Sequence, residues 1–435
     1  MQIMKEGVFA FFLMLLYNGA YSQAYPDTTN IDYTFYVNRN HLNAGDNNPG
    51  TDPEFPLKTL QKAVNLSKDK ASRIKVFPGH YRSYIDILSN EIMIIEATEP
   101  GKAIISGSDV FSDWVLEDSV YSHAWNYDWG FFDDSEFCFG PCLLSDYQKR
   151  RELLFVNSSP MKQVLKADEM VQGSFLVDEE NDLIYLNLPD TIQMEDAFIE
   201  VSTRGYDIYN EGRNGSLIKA SVFGGKGLIM RGLTIQHTAN TAHQDALTIS
   251  STRNLLVENC TFQWNNGVGL EIQSCSDVTV RNCIASNNGE RGMGVAGGEN
   301  FILENIELYN NNWRTNASKI ISHDAAGIKL VGGLNNCRLI NIKAKNNHCH
   351  AIWFDWNNGN YSIENSLIEH NQEAGIMLEA SRKPAHLKNN KILFNRVGIL
   401  GYGHANVKVD SCYLFANDSQ ISLGQDGRTV RQDND

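Results

Sequence analysis

No run of apolar residues in this 435-residue chain is long enough to cross a bilayer. The longest candidate, Val8–Tyr17, is short, follows Lys5 and ends before Ala20-Tyr21-Ser22. That pattern predicts a cleaved export signal over residues 1–22, with Gln23 the first mature residue and a secreted or periplasmic protein. Positive charge is also in deficit. Lys and Arg total 37 against 52 Asp and Glu, a net charge of −15. An acidic surface repels polyanions, which argues against nucleic acid and favours a neutral glycan over a uronate polymer. Zinc-site spacing is missing from the eight cysteines. His348-Cys349-His350 places neighbours on opposite faces of a strand, so no metal site is expected there. An even cysteine count in an exported chain permits disulfides: Cys138 and Cys142 lie close enough to bridge, and Cys260 and Cys283 either pair or stack as core thiols. Nothing in the sequence sets an oligomeric state.

From Gly227 onward the chain repeats. An apolar residue, a spacer and a polar residue or glycine recur at Met230-Arg231-Gly232, Val257-Glu258-Asn259, Val280-Arg281-Asn282, Leu303-Glu304-Asn305, Leu339-Ile340-Asn341, Ile363-Glu364-Asn365, Leu387-Lys388-Asn389 and Val409-Asp410-Ser411. The steps are 27, 23, 23, 36, 24, 24 and 22 residues. A second strand recurs in phase, beginning at Ala246, Gly269, Gly292, Gly327, Ala351, Gly375, Gly398 and Gln420. Periods of this size mean a solenoid. Strand alternation with turn asparagines, and no amphipathic helix per unit, selects a parallel β-helix, right-handed by the general rule for parallel crossovers. Asn266, Asn288, Asn311, Asn347, Asn371, Asn395 and Asn417 precede the second strand and are expected to stack as a structural amide ladder.

The remainder divides around that solenoid. Residues 23–110 read as first coils, with a helix over Leu57–Leu66 capping the open end. Residues 111–212 show no repeat and read as an inserted β-rich, sandwich-like subdomain. Its aromatics in Trp125–Phe139 either form its own core or overhang a groove. Residues 213–435 carry the coils that hold the chemistry. The 36-residue step places an insertion at Asn311–Ala325, with His323 and Asp324 on a loop that walls one side of the site.

In the second strand Ile352, Phe354, Ile376 and Leu378 are expected inward, and Trp353, Asp355, Met377 and Glu379 outward. The outward column continues through Ser250, Gln273, Ala296, Val331 and Tyr402. Asp355 and Glu379 lie 24 residues apart, one coil, so they stack at about the 4.8 Å strand spacing. Like charges placed so are destabilising unless compensated. The alternative is a surface pair offset by Lys329, Arg382 or Lys383. Carboxyl groups about 5–5.5 Å apart suit double displacement at a glycosidic bond, one acting as nucleophile and one as general acid/base. Trp353 either offers a face for a sugar ring or packs against the 311–325 loop, Trp356 offers another face, and Lys329 a donor to substrate or to Asp355. A competing reading makes Lys329, Lys319 or Arg382 the base of a uronate lyase or epimerase, with Asp355 and Glu379 as Ca²⁺ ligands. A third is a non-catalytic glycan-binding solenoid. The hydrolase reading needs no cofactor.

The segments NNPGTDPEFPLKTLQKAV and IKVFPGHYR resemble the N-terminal signature of secreted right-handed parallel β-helix proteins. Trp353-Phe354-Asp355-Trp356, followed by Glu379 and Pro384 in an E-x-x-x-x-P element, resembles the parallel-β-helix β-xylosidases of glycoside hydrolase family 120. That resemblance implies a β-sandwich interrupting the helix, Asp355 as nucleophile and Glu379 as acid/base. The chain departs from the family at Ser381-Arg382-Lys383, where the family carries a His-containing sequence before the proline.

Overall fold

The computed structural model describes residues 25–132, 144–205, 216–318 and 325–425. The repeats coil into a parallel β-solenoid with three sheet faces. One face is a ten-stranded parallel sheet of short strands running from Gly79–Tyr81 to Tyr413–Phe415. A second stacks Ile85–Ser89, Ile218–Val222, Asp245–Ser250, the first half of Val268–Arg281, the first half of Met293–Glu304, Ala326–Val331, His350–Asp355, Ala374–Ser381, Val397–His404 and Ser419–Gly424. The third begins at Tyr33–Val37 and ends at Val407–Asp410. Alternate residues of all three fill one continuous lumen, with Ile74, Phe262, Phe301 and Phe354 among its fully buried members.

The repeat anchors owe their asparagines to backbone geometry. Asn259, Asn282, Asn305, Asn341, Asn365 and Asn389 all sit at φ between 54° and 56°, the left-handed region. Asparagine tolerates that region better than most residues, so it marks the corner of each coil. Glycines that open the second strand have another cause. A Cβ at Gly327 would lie 2.6 Å from the carbonyl oxygen of Ala351 on the next coil.

The buried amide ladder runs Asn265–Asn288–Asn311–Asn347–Asn371–Asn395–Asn417, each Nδ2 donating to the next Oδ1 at 2.9–3.0 Å. Its first member is Asn265, not Asn266. The Asn266 amide donates to the carbonyls of Asn240 and Arg150, and its oxygen accepts from Arg314. Helix Leu60–Ser67 is capped by Thr59 and buries Leu60, Ala63 and Val64 in the lumen core. It starts three residues later than the apolar spacing predicts, because Leu57 is taken up in a parallel bridge to Val37.

Between Ser108 and Ser202 the chain forms two largely antiparallel sheets around a separate core of Trp125, Phe175, Ile184, Leu186 and Val201. Trp125 is fully buried in it, the core alternative for that aromatic segment. The 311–325 insertion ties these sheets to the solenoid. Its helix Trp313–Ser318 carries the buried Arg314, which donates to the Glu152 and Tyr147 carbonyls and to Gln163 Oε1. Cys260, Cys275, Cys283, Cys337, Cys349 and Cys412 are free thiols. Cys138 and Cys142 lie outside the described residues. No helix among the described residues is long and apolar enough to cross a membrane.

The ladder makes a quantitative expectation. Asn347→Ala strands the Leu308 carbonyl and the two donors of Asn311, at about 1–3 kcal/mol for each buried group left unmet. Chemical denaturation should show a clear fall in midpoint for Asn347→Ala and a smaller one for Asn417→Ala at the less buried end of the ladder, where water can reach the groups left unmet.

Candidate functional site

Strand His350–Asp355 lies between Ala326–Val331 and Ala374–Ser381. The registers align Lys329 with Trp353, Val331 with Asp355, Trp353 with Met377 and Phe354 with Leu378. Asp355 and Glu379 are the next residues on their strands after the Phe354/Leu378 pair. They occupy neighbouring rungs of one column, about 4.8 Å apart along the hydrogen-bonding direction. Ile352, Phe354, Ile376 and Leu378 point into the lumen. Trp353 and Met377 belong to a separate cluster on the outer face. Strand alternation thus sets which side chains leave the core.

The outer face is not open here. Asp355 and Glu379 are each 7 % exposed, Lys329 6 % and Trp353 9 %. Expectation placed Trp353 as an exposed sugar platform. Its indole instead lies under the Lys329 ammonium, 3.6 Å from the ring centroid, and its Nε1–H donates to Glu379 Oε2 at 2.9 Å. Lys329 Nζ lies 3.1 Å from Asp355 Oδ2. One lysine therefore faces an aromatic quadrupole and a carboxylate together, and offsets the cost of stacking two acids. Asn358, buried behind the pair, holds the turn that follows Asp355: its Nδ2 donates to the carbonyls of Asp355 and Leu330, and Ser381 Oγ donates to its carbonyl.

Trp356 has a different position. It is 42 % exposed and left-handed at φ 53°. It follows Asp355 directly and keeps the exposure that Trp353 lacks. Arg382 is exposed on the chain leaving the Glu379 strand. His323 and Asp324, like Lys319, lie outside the described residues. His350 packs its ring 5.3 Å from that of Trp353 and accepts from the Ala374 amide. Burial, then the Lys329 charge, pushes its pKa down to about 4, so it is neutral near pH 7.

Glu271 is the residue that sequence reasoning passed over. It shares the outward column of Lys329 and lies one coil from Gly294. A Cβ at Gly294 would sit 1.7 Å from Glu271 Oε2, so the glycine makes room for this carboxylate. Arg291 Nη2 is 3.5 Å from the same oxygen and Nη1 is 3.9 Å from Glu290. Its phase with Lys329 and Trp353 was the available signal. Among the described residues no three His, Cys, Asp or Glu side chains gather as a metal site.

A model of the family described as "Right handed beta helix region" matches residues 220–317 and 245–414, and the solenoid is a right-handed parallel β-helix. No curated protein matches the chain. Among solved structures, XylC in complex with xylose superposes with a TM-score of 0.68 at 16 % identity, covering 86 % of this chain and 70 % of that one. A glycoside hydrolase gives 0.58 at 11 %, covering 90 % and 96 %. The A-module of the Azotobacter vinelandii mannuronan C-5 epimerase AlgE4 gives 0.50 at 12 %, covering 83 % and 75 %. Identities this low establish a shared fold.

The Lys329–Asp355 pair can be tested without any substrate. Lys329→Met removes one partner of a buried ion pair and should cost up to about 3–5 kcal/mol, read as a lowered denaturation midpoint. Adding Asp355→Asn to that variant should restore most of the loss.

Proposed function

We propose that the protein is an exported retaining glycoside hydrolase acting on a neutral glycan, with a xylan-derived oligosaccharide as the leading substrate class. The observation that carries this reading is the stacking of Asp355 and Glu379 on adjacent rungs, each with a different partner. Lys329, 3.1 Å from Asp355 Oδ2, holds that carboxylate in place, as a positioned nucleophile needs. In the first step Asp355 attacks the anomeric carbon while Glu379 gives its proton to the departing glycosidic oxygen. In the second step Glu379, now ionised, takes a proton from water, the water attacks the anomeric carbon and Asp355 leaves. The Trp353 N–H fixes Glu379 Oε2 and so orients the carboxyl for proton transfer. Trp356 supplies the exposed aromatic face for a sugar ring. No cofactor enters either step. On the same reading residues 1–22 are the signal removed on export.

The charge pattern supports a neutral substrate. Two acids and one lysine at the site, in a chain of net charge −15, disfavour a polyuronate. A lyase or epimerase would need a free base, and Lys329 is instead held between Asp355 and an indole ring.

Aryl glycosides, the xyloside first, test the proposal. Asp355→Asn and Glu379→Gln should each lower turnover by at least about 10²–10⁴ with unchanged circular dichroism, and the product should retain its anomeric configuration by NMR. Near-normal rates in both variants, or an unsaturated product from a polyuronate, would refute it. Trp353→Phe removes the hydrogen bond that orients Glu379 and should lower kcat for the aryl xyloside more than it changes KM.

A further inference from the structure

The sheet face that carries Asp355 continues toward the N-terminal end of the solenoid as two outward columns. One runs Ser250, Gln273, Ala296, Val331, Asp355. The other runs Asp86, Lys219, Thr248, Glu271, Gly294, Lys329, Trp353. At their far end lies a groove of about 330 Å³, lined by Asp86, Lys219, Gln244, Asp245, Ser250 and Gln273 among others. That volume is at the lower end of what small ligands occupy.

Five features give the groove a purpose. Nine of its twelve lining residues carry hydroxyl, amide or charged groups, the complement of sugar hydroxyls. Ser221 and Ser250 are already paired across adjacent coils at 2.9 Å, an ordered row of hydroxyls rather than loose surface. The rungs between groove and acids are low: Ala296 and Val331 are part-exposed, and glycines follow at 297 and 332. Gln273 and Asp355 are three strand spacings apart, about 14 Å, a few sugar residues. Two carboxylates, Asp86 and Asp245, face one ammonium, Lys219, which disfavours an anionic polymer.

We infer that this groove is a distal subsite for a neutral oligosaccharide that lies along the sheet, with one end at Asp355 and Glu379. The inference rests on the glycan-site reading of those two acids. It makes the substrate a chain several residues long rather than a disaccharide.

Titration calorimetry on the Asp355→Asn protein tests it, using neutral xylo-, cello- and manno-oligosaccharides of increasing length, with an oligogalacturonate as charged comparator. For one neutral series affinity should rise with length until the groove is reached. Gln273→Ala, and separately Ser250→Trp, which fills the groove without changing charge, should lower affinity for the longest oligomer about tenfold, to that of the disaccharide. Length-independent affinity, no binding by any neutral series, preference for the oligogalacturonate, or affinity untouched by both substitutions would overturn the inference. Length dependence in the unsubstituted groove decides the matter even where a variant fails to fold. Binding that grows with length alongside absent turnover in the parent enzyme would sink the hydrolytic reading and leave the subsite standing.

Discussion

Stacking of successive coils in one register is the constraint from which the other features descend. Each strand meets the next at a single spacing, so a residue's phase within its coil fixes its column and its face. A slip of one residue would turn every lumen side chain outward and every outer side chain into the core. The buried amide ladder opposes that slip. Asn347, for example, accepts from the Asn311 N–H and donates to the Leu308 carbonyl of the preceding coil, and donates to the Asn371 amide of the next. Register is thus held by polar groups inside the molecule, while the apolar lumen supplies the driving force for coiling.

This arrangement repeats a backbone corner at every coil and lets the sequence vary what it carries. The residue after each member of the Asp355 column is left-handed: Ser251, Ser274, Gly297, Gly332, Trp356, Ala380 and Gly403. Five of the seven are glycine or serine. The two that follow the acids are tryptophan and alanine, for which this conformation costs about 1–2 kcal/mol. Like charge on adjacent rungs is a second cost at the same place, and burial of Lys329, Asp355 and Glu379 a third. Like charge and the burial of three ionisable side chains on two neighbouring coils mark where stability was given up for something else.

Much of this was legible in the sequence because a solenoid turns sequence distance into spatial address. The column Ser250, Gln273, Ala296, Val331, Asp355 was readable from period alone, and the strand pairings reproduce it. What covers a column was not readable. Alternation predicts that Trp353 leaves the lumen, but its burial and the direction of its N–H depend on Lys329 and Glu379 from the two adjoining coils. Glu271 was missed because the room for its carboxylate is made by the absent side chain of Gly294, which in sequence reads as one more turn glycine. Asn265 and Asn266 are both asparagine, so the ladder's first member was settled only by which one faces the next coil and which faces Arg314.

The central claim is that Asp355 is the group that bonds to the sugar while Glu379 on the next rung handles the proton. A mechanism-based 2-deoxy-2-fluoro glycoside of the preferred sugar, incubated with the protein and followed by intact mass and peptide mapping, tests this directly. The account predicts one added glycosyl group, located on the peptide containing Asp355 and absent from Asp355→Asn. An adduct on another carboxylate, or turnover that proceeds with no adduct at all, would contradict it.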